Sequence, residues 1–440
     1  MRNSIKTLIA ALAVSVGPFA AEASNFGCSG LEQLQDLPSL EGRDGVIFRI
    51  NADLRMYHPF SNETVKAMGQ LSRALAARGT TLIYVPIPTK SVTMPEYLPL
   101  EAALYGFDLE IATWVHKDIL DRLTAEGVQT VDAREAMLQT PKEEKAFFRA
   151  DFHWTAAGAN ETAKAIAKAL KLSPDYGALT KTQYETQSLQ PDVAFSGMRR
   201  LLQKRCATAL PLPETMTFET KAAAADLGGA LDLFGDGDNA VQVALLGTSF
   251  SDSPINNFTG FLAQHSELEV VNYAITGGNQ FGAMTSYLTS KEFEENRPKY
   301  LIWENPIYNN LAQYGDQPMR ELISAATGNC RQEVAVQVSG DRLSMRARLA
   351  DLNLSDDHTI FVETDGSAGL EAVFSFTSPS GEKRAKTVVR GKRLRRTGRF
   401  YMPVTGLWPD GVSAVDVTMS EPLGEAPKIL ICSPISEVKS

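Results

Sequence analysis

Cysteine and histidine are scarce in this chain: among 440 residues there are four of the first and five of the second. No C-x-x-C pair and no H-x-x-x-H pair occurs, and His58, His116, His265 and His358 lack the partner spacing of a metal site, so no metal is expected. Internal repeats and low-complexity tracts are missing. Beyond the first two dozen residues no segment is apolar enough to cross a bilayer. Positive charge is in deficit too, and the formal net charge of −9 argues against a general nucleic-acid binder.

The one long apolar stretch, Leu8 to Ala21, follows Arg2 and Lys6 and ends at Ala21-Glu22-Ala23, a small-x-small cleavage pattern. It reads as a secretory signal peptide over residues 1–23, removed before Ser24. A retained anchor, the alternative, needs roughly 20 apolar residues, whereas this run is shorter and holds Gly17 and Pro18. The mature chain is therefore expected to be exported and soluble. In an exported protein four widely spaced cysteines favour two disulfides over redox chemistry. Their number leaves three pairings open. Because Cys28 and Cys206 bracket much of the first part and Cys330 and Cys432 the last, Cys28–Cys206 and Cys330–Cys432 are expected.

The length suggests two or three domains. From Val46 to Pro306 the pattern alternates: Val46 to Ile50, Thr81 to Val85, Val128 to Val131, Val243 to Gly247, Glu269 to Ile275 and Tyr300 to Glu304 read as strands. Helical spacing fills Val65 to Arg78, Leu109 to Glu126, Ala156 to Leu170 with Thr155 as N-cap, Asn257 to Gln264 and Phe281 to Asn296. Such alternation predicts a parallel sheet covered by helices on both faces. Leu172 to Ala240 is weakly patterned and reads as a long excursion or loop. After Cys330 the texture changes to short strands separated by turns, which indicates a β-sandwich. We therefore expect an α/β domain over 24–330 and a β-sandwich over 331–440.

Two strings carry chemistry. Asp151-Phe152-His153-Trp154-Thr155 supplies a carboxylate and an imidazole; Leu246-Gly247-Thr248-Ser249-Phe250-Ser251 supplies a hydroxyl where a buried strand turns out at the carboxyl edge of the sheet. Serine becomes a nucleophile when a base accepts its proton and a carboxylate fixes the base's tautomer. Residues two apart on a turn can face the same way, so Asp151 can reach Nδ1 of His153 and leave Nε2 for Ser249, with Arg149 helping to keep Asp151 ionised. Singly, each string has a plain reading as a helix start or a tight turn; together in one exported α/β domain they point to acyl chemistry. Oxyanion donors are expected from the Ser249 amide and from Gly278 and Asn279, after the strand ending at Ile275. Trp303 and Lys90 are expected to line the cleft.

Phe147 to Ala159, which contains the D-x-H string, and Leu246 to Ser251 resemble the two signature segments of the SGNH-hydrolase-like alginate O-acetyltransferases, the AlgX and AlgJ proteins. In most SGNH enzymes the serine comes first; here, as in this family, D-x-H precedes it. The added β-rich module and the two bracketing cysteine pairs are similar to the AlgX branch, in which a carbohydrate-binding module follows the catalytic domain. The resemblance implies a periplasmic transferase that places acetyl groups on mannuronate residues of polymeric alginate within a secretion complex of several proteins. It implies Ser249 as nucleophile, His153 as base and Asp151 as orienting acid. The family also uses an aromatic hydroxyl just after the serine segment, and Ser251 to Phe258 holds no tyrosine. No cofactor is implied, and the acetyl donor is not readable.

An anionic polysaccharide gives meaning to the C-terminal charge. Nine basic residues and no acidic one stand between 383 and 399. Arg395, Arg396 and Arg399 with Tyr401 and Trp408 are the expected polymer contacts, through carboxylate pairing and sugar stacking; a solvated basic edge that discourages strand aggregation is the plainer reading. Two other functions use the same residues. Water as acceptor gives a polysaccharide acetylesterase, and no chemistry at all gives an escort for the polymer.

Overall fold

The structure, a computed structural model, describes residues 24–141, 143–223, 241–352, 354 and 356–433; the expected signal peptide lies outside them. Five strands form a parallel sheet in the spatial order Gln129–Thr130, Thr81–Ile87, Tyr300–Pro306, Val243–Leu246, Val270–Asn272. The central three are buried on both faces, which is why they read as continuous apolar runs. Side chains still alternate between the two layers. Ile83, Val85, Val243, Leu245 and Ile302 meet Ala159, Ala163 and Ile166 of the helix Ala156–Lys171 and Phe261 and Leu262 of Phe258–Ser266. Leu82, Tyr84, Ala244, Leu246, Leu301 and Trp303 meet Met68 and Leu71 of Asn62–Ala76, Leu123 of Leu109–Ala125 and Leu322 of Gln317–Thr327. Three of these helices begin on side-chain caps: Ser61, Asp108 and Thr155 accept from the amides of Thr64, Ile111 and Gly158.

Three local expectations differ from the structure. The strand expected at Val46 to Ile50 pairs as Ile47–Arg49 with Ser39–Glu41 in a separate antiparallel ribbon. The single helix expected over Phe281 to Asn296 is two, Gly282–Leu288 and Lys291–Glu295, because the Ser290 side chain caps the second at Phe293 N. Within the weakly patterned region, Tyr184–Val193 and Glu214–Ala222 form a hairpin flanking the helix Gly197–Gln203; residues 224–240 are outside the described set.

The C-terminal part is two packed antiparallel sheets. One holds Cys330–Val334, Lys428–Cys432, Thr359–Glu363 and Arg399–Pro403 in that order; the other holds Val336–Val338, Ser344–Arg348, Ala414–Met419, Glu371–Thr377 and Lys383–Val389. The chain divides at Ala335 between Cys330–Val334 and Val336–Val338, so that this short stretch serves both sheets. In Arg399–Pro403, Phe400 and Met402 enter the sandwich core, whereas Tyr401 turns the other way into the α/β core. Beside it the buried pair Arg390–Glu321, at 2.6 Å, ties the sandwich to the helix Gln317–Thr327. Disulfides join Cys28 to Cys206 and Cys330 to Cys432.

Candidate active site

The D-x-H string sits at the tip of a tight chain reversal. Phe148 N donates to His153 O at 3.1 Å and Thr155 N to Ala146 O at 3.0 Å, while Phe147 bridges to Trp154. Gly158 makes the close approach possible, since a Cβ there would stand 2.3 Å from the Ala146 carbonyl oxygen. Beneath the reversal the Lys90 ammonium donates to the carbonyls of Asp151, Phe148 and Ile47 at 2.6, 2.8 and 3.0 Å. Asp151 is thereby held at 2% exposure with both oxygens engaged. Its Oδ1 accepts from the His153 amide at 2.8 Å and faces Nδ1 at 2.7 Å; Oδ2 accepts from the Ser196 hydroxyl at 2.5 Å. Burial pushes this carboxyl up, but the bonds and charge of His153 and the Ser196 hydroxyl outweigh it and hold the group down at about 2.

The serine loop is built from the opposite side. Val243–Leu246 ends against Tyr300–Pro306, with Leu246 beside Trp303, so both carboxyl ends share one edge. Glu304, wholly buried, accepts from Thr248 N at 2.7 Å, from the Thr248 hydroxyl at 3.0 Å and from the Ser251 hydroxyl at 2.9 Å. Burial raises this carboxyl above the usual range, against the pull of those hydrogen bonds and of His153. At Gly247 a Cβ would lie 2.3 Å from Glu304 Oε2, so only glycine lets the loop close over the carboxylate. Ser249 then opens a short helix, and its Oγ stands 2.7 Å from His153 Nε2 across 96 positions of sequence. The imidazole is fixed from its faces as well: Phe152 and Phe250 lie 4.1 and 4.9 Å away between centroids, and the Arg49 guanidinium covers Phe152 at 4.7 Å.

Hydroxyl, imidazole and carboxylate thus stand in one hydrogen-bonded line. Of the expected oxyanion donors, the Ser249 amide has no partner among the described residues. Gly278 differs, because its amide is used within its own turn, donating to Ile275 O at 3.0 Å. Asn279 spends its side-chain oxygen on Phe281 N at 2.8 Å and lines a groove of about 590 Å³ with Tyr314 and Lys386, between the two parts of the chain.

Most of the expected substrate contacts are buried, which corrects the surface reading. Lys90, at 1% exposure, is a clamp under the Asp151 turn; Trp303, also at 1%, packs on Tyr84. Tyr401 stacks on Phe361 inside the molecule, and Arg399 pairs inward with Glu294 and Glu363. Trp408 belongs to the sandwich core and donates its indole N–H to Glu382 at 2.8 Å. Arg395 and Arg396 are exposed, the first paired with Glu292 at 2.8 Å. Arg149 faces Asp44 rather than Asp151. Two supporting residues carried no motif. Glu304 leaves a trace, a lone carboxylate closing the apolar run Leu301 to Trp303, which burial obliges to find donors; Ser196 leaves none.

The family described as SGNH hydrolase-like domain, acetyltransferase AlgX, matches residues 40–307. The chain is 34% identical over 276 residues to the alginate biosynthesis protein AlgX of Pseudomonas aeruginosa, which is 62% of this chain and 56% of that protein's length. To AlgX of Azotobacter vinelandii it is 31% identical over 362 residues, covering 82% of this chain and 72% of the relative. The solved structure of Pseudomonas aeruginosa AlgX superposes with a TM-score of 0.76 at 25% identity, over 95% of this chain and 99% of that one.

Proposed function

Because this chain belongs to the SGNH hydrolase-like AlgX acetyltransferase family, we propose that it moves acetyl groups onto mannuronate hydroxyls of polymeric alginate through an acetyl-Ser249 intermediate. The observation that carries the reading is the unbroken line from Asp151 through His153 to Ser249, with both links at 2.7 Å.

In the first half-reaction Ser249 Oγ gives its proton to His153 Nε2 and attacks the acetyl carbonyl of the donor. Asp151, ionised and buried, holds Nδ1–H and steadies the imidazolium. The Ser249 amide, which has no partner among the described residues, takes the developing oxyanion, a role typically worth about 2.7 to 4 kcal/mol per donor. As the carbonyl re-forms, the donor's leaving group departs with the proton from Nε2. In the second half a sugar hydroxyl passes its proton to Nε2 and attacks the acetyl ester, and Ser249 recovers its proton from His153.

Export to the periplasm and a place among the proteins of an alginate secretion complex belong to the same proposal, as does polymer binding by the C-terminal sandwich through the exposed Arg395 and Arg396. The test is acetyl transfer from an activated acetyl ester to defined oligomannuronates and to neutral glucan oligomers, read by mass spectrometry. Acetylated uronate oligomers are expected. Free acetate alone would mean that water is the acceptor, and a preference for glucan would remove alginate as substrate.

A further inference from the structure

We propose that Ser196 is a positioning residue of this relay: its hydroxyl fixes the Asp151 carboxylate in the orientation that holds His153 against Ser249. The inference rests on the acetyl-serine reading above. Ser196 is 45 residues from Asp151 in sequence and 6% exposed. Its single O–H is donated to Asp151 Oδ2 at 2.5 Å, and its oxygen accepts from Arg199 N at 2.9 Å as N-cap of Gly197–Gln203.

That double use separates the residue from an ordinary helix cap. Aspartate or asparagine would cap as well as serine, but an aspartate here would press a second carboxylate on Asp151. The cap itself is anchored. Met198 and Leu202 of the helix pack with Ile47 and Ala150 beside the D-x-H reversal, and Cys206, just beyond its end, is bonded to Cys28. Asp151 Oδ1 is occupied by His153, and Oδ2 has no other donor among the described residues. Without Ser196 the carboxylate keeps a buried, unsatisfied oxygen and is free to rotate about its Cβ–Cγ bond, taking Nδ1 with it. A donor on Oδ2 also withdraws charge from the carboxylate facing the imidazole. Other charged groups near the relay include Lys90, on the Asp151 carbonyl, Glu304 on the serine loop, and Arg49 over Phe152 with its buried partner Asp53, and none of them bonds Oδ2.

The test compares wild type, Ser196→Ala and Ser196→Thr in the kcat and KM of acetyl transfer, alongside the rate at which a fluorophosphonate labels Ser249. For Ser196→Ala we expect kcat to fall roughly tenfold to a hundredfold, the range of one charge-assisted hydrogen bond, with KM within about twofold and labelling slowed in step. Ser196→Thr should restore kcat and labelling. Unchanged kcat and labelling in Ser196→Ala, or a loss that threonine does not rescue, overturns the proposal. If wild type labels rapidly, Ser196→Ala labels slowly and neither acetylates uronate oligomers, the positioning role stands and only the acetyl-transfer reading falls.

Discussion

Trp154 donates its indole N–H to the carbonyl of Phe250 at 2.9 Å, with both groups buried. The residue after the imidazole is thus bonded to the residue after the nucleophile, and the two strings are fastened one step behind the atoms that meet. The Trp154 ring also packs edge-on against Phe250 and tilted on Phe258, which makes the joint stiff as well as directional.

Replacing Trp154 by phenylalanine removes that donor and leaves the Phe250 carbonyl buried without one. Unfolding free energy should fall by about 1 to 3 kcal/mol, and acetylation should fall further than in a stability-matched variant of the sandwich core such as Ile360→Val. Parallel denaturant titrations and transfer assays give the comparison, and equal activity losses would contradict the fastening role.

The serine loop has no room at Gly247. Gly247→Ala sets a methyl group against Glu304 Oε2 and the Ser251 hydroxyl, so either the carboxylate or the loop must shift. A displacement of about 1 Å at the nucleophile can cost on the order of a hundredfold. Ser249 labelling should slow by that order while the purified protein keeps its circular dichroism spectrum; labelling at the wild-type rate would show that the loop yields harmlessly.

Acid should act on stability through Asp151. Its carboxyl is lowered from the ordinary 3.8 to about 2, so the folded state releases this proton more readily than the unfolded one. The resulting stabilisation, on the order of 2 kcal/mol, is fully present above the unfolded value and is lost as pH falls toward the folded one. The difference in unfolding free energy between wild type and Asp151→Asn should therefore narrow between about pH 5 and pH 2. Urea titrations across that window check it, and a constant difference would contradict the assignment.

Between the two parts of the chain, Arg390 and Glu321 are 3% and 4% exposed, and Arg390 also donates to Arg399 O at 2.7 Å. Removing one charge strands the other, a loss of about 3 to 5 kcal/mol. Glu321→Ala should show it in denaturant titrations, while the pair replaced together by Met and Leu should recover much of the loss. Equal stability of the single and double variants would exclude a stranded charge as the cause.

Sequence patterning conveys the parallel sheet well, because strands buried on both faces are continuous apolar runs bounded by turns. It fails at the hairpin of Tyr184–Val193 and Glu214–Ala222, whose faces are largely exposed, so no apolar alternation marks it. Ser249, His153 and Asp151 stand out by residue type and local turn; Ser196 and Glu304 become meaningful only when the chain brings them to those turns. Arg399 and Tyr401 show the opposite limit. A stripe of basic and aromatic residues reads as surface until the helix Gln317–Thr327 is found covering that face of the strand, where Gln317 donates to Tyr401 O at 3.3 Å and Tyr401 N to Glu321 Oε1 at 3.3 Å.

The most direct measurement is of the intermediate itself: mix the protein with an activated acetyl ester, quench in acid and map the acetyl group by peptide mass spectrometry. It should appear on the peptide containing Ser249 in wild type, vanish in Ser249→Ala and be discharged by added oligomannuronate. Undiminished acetylation of oligomannuronate by Ser249→Ala would contradict the account.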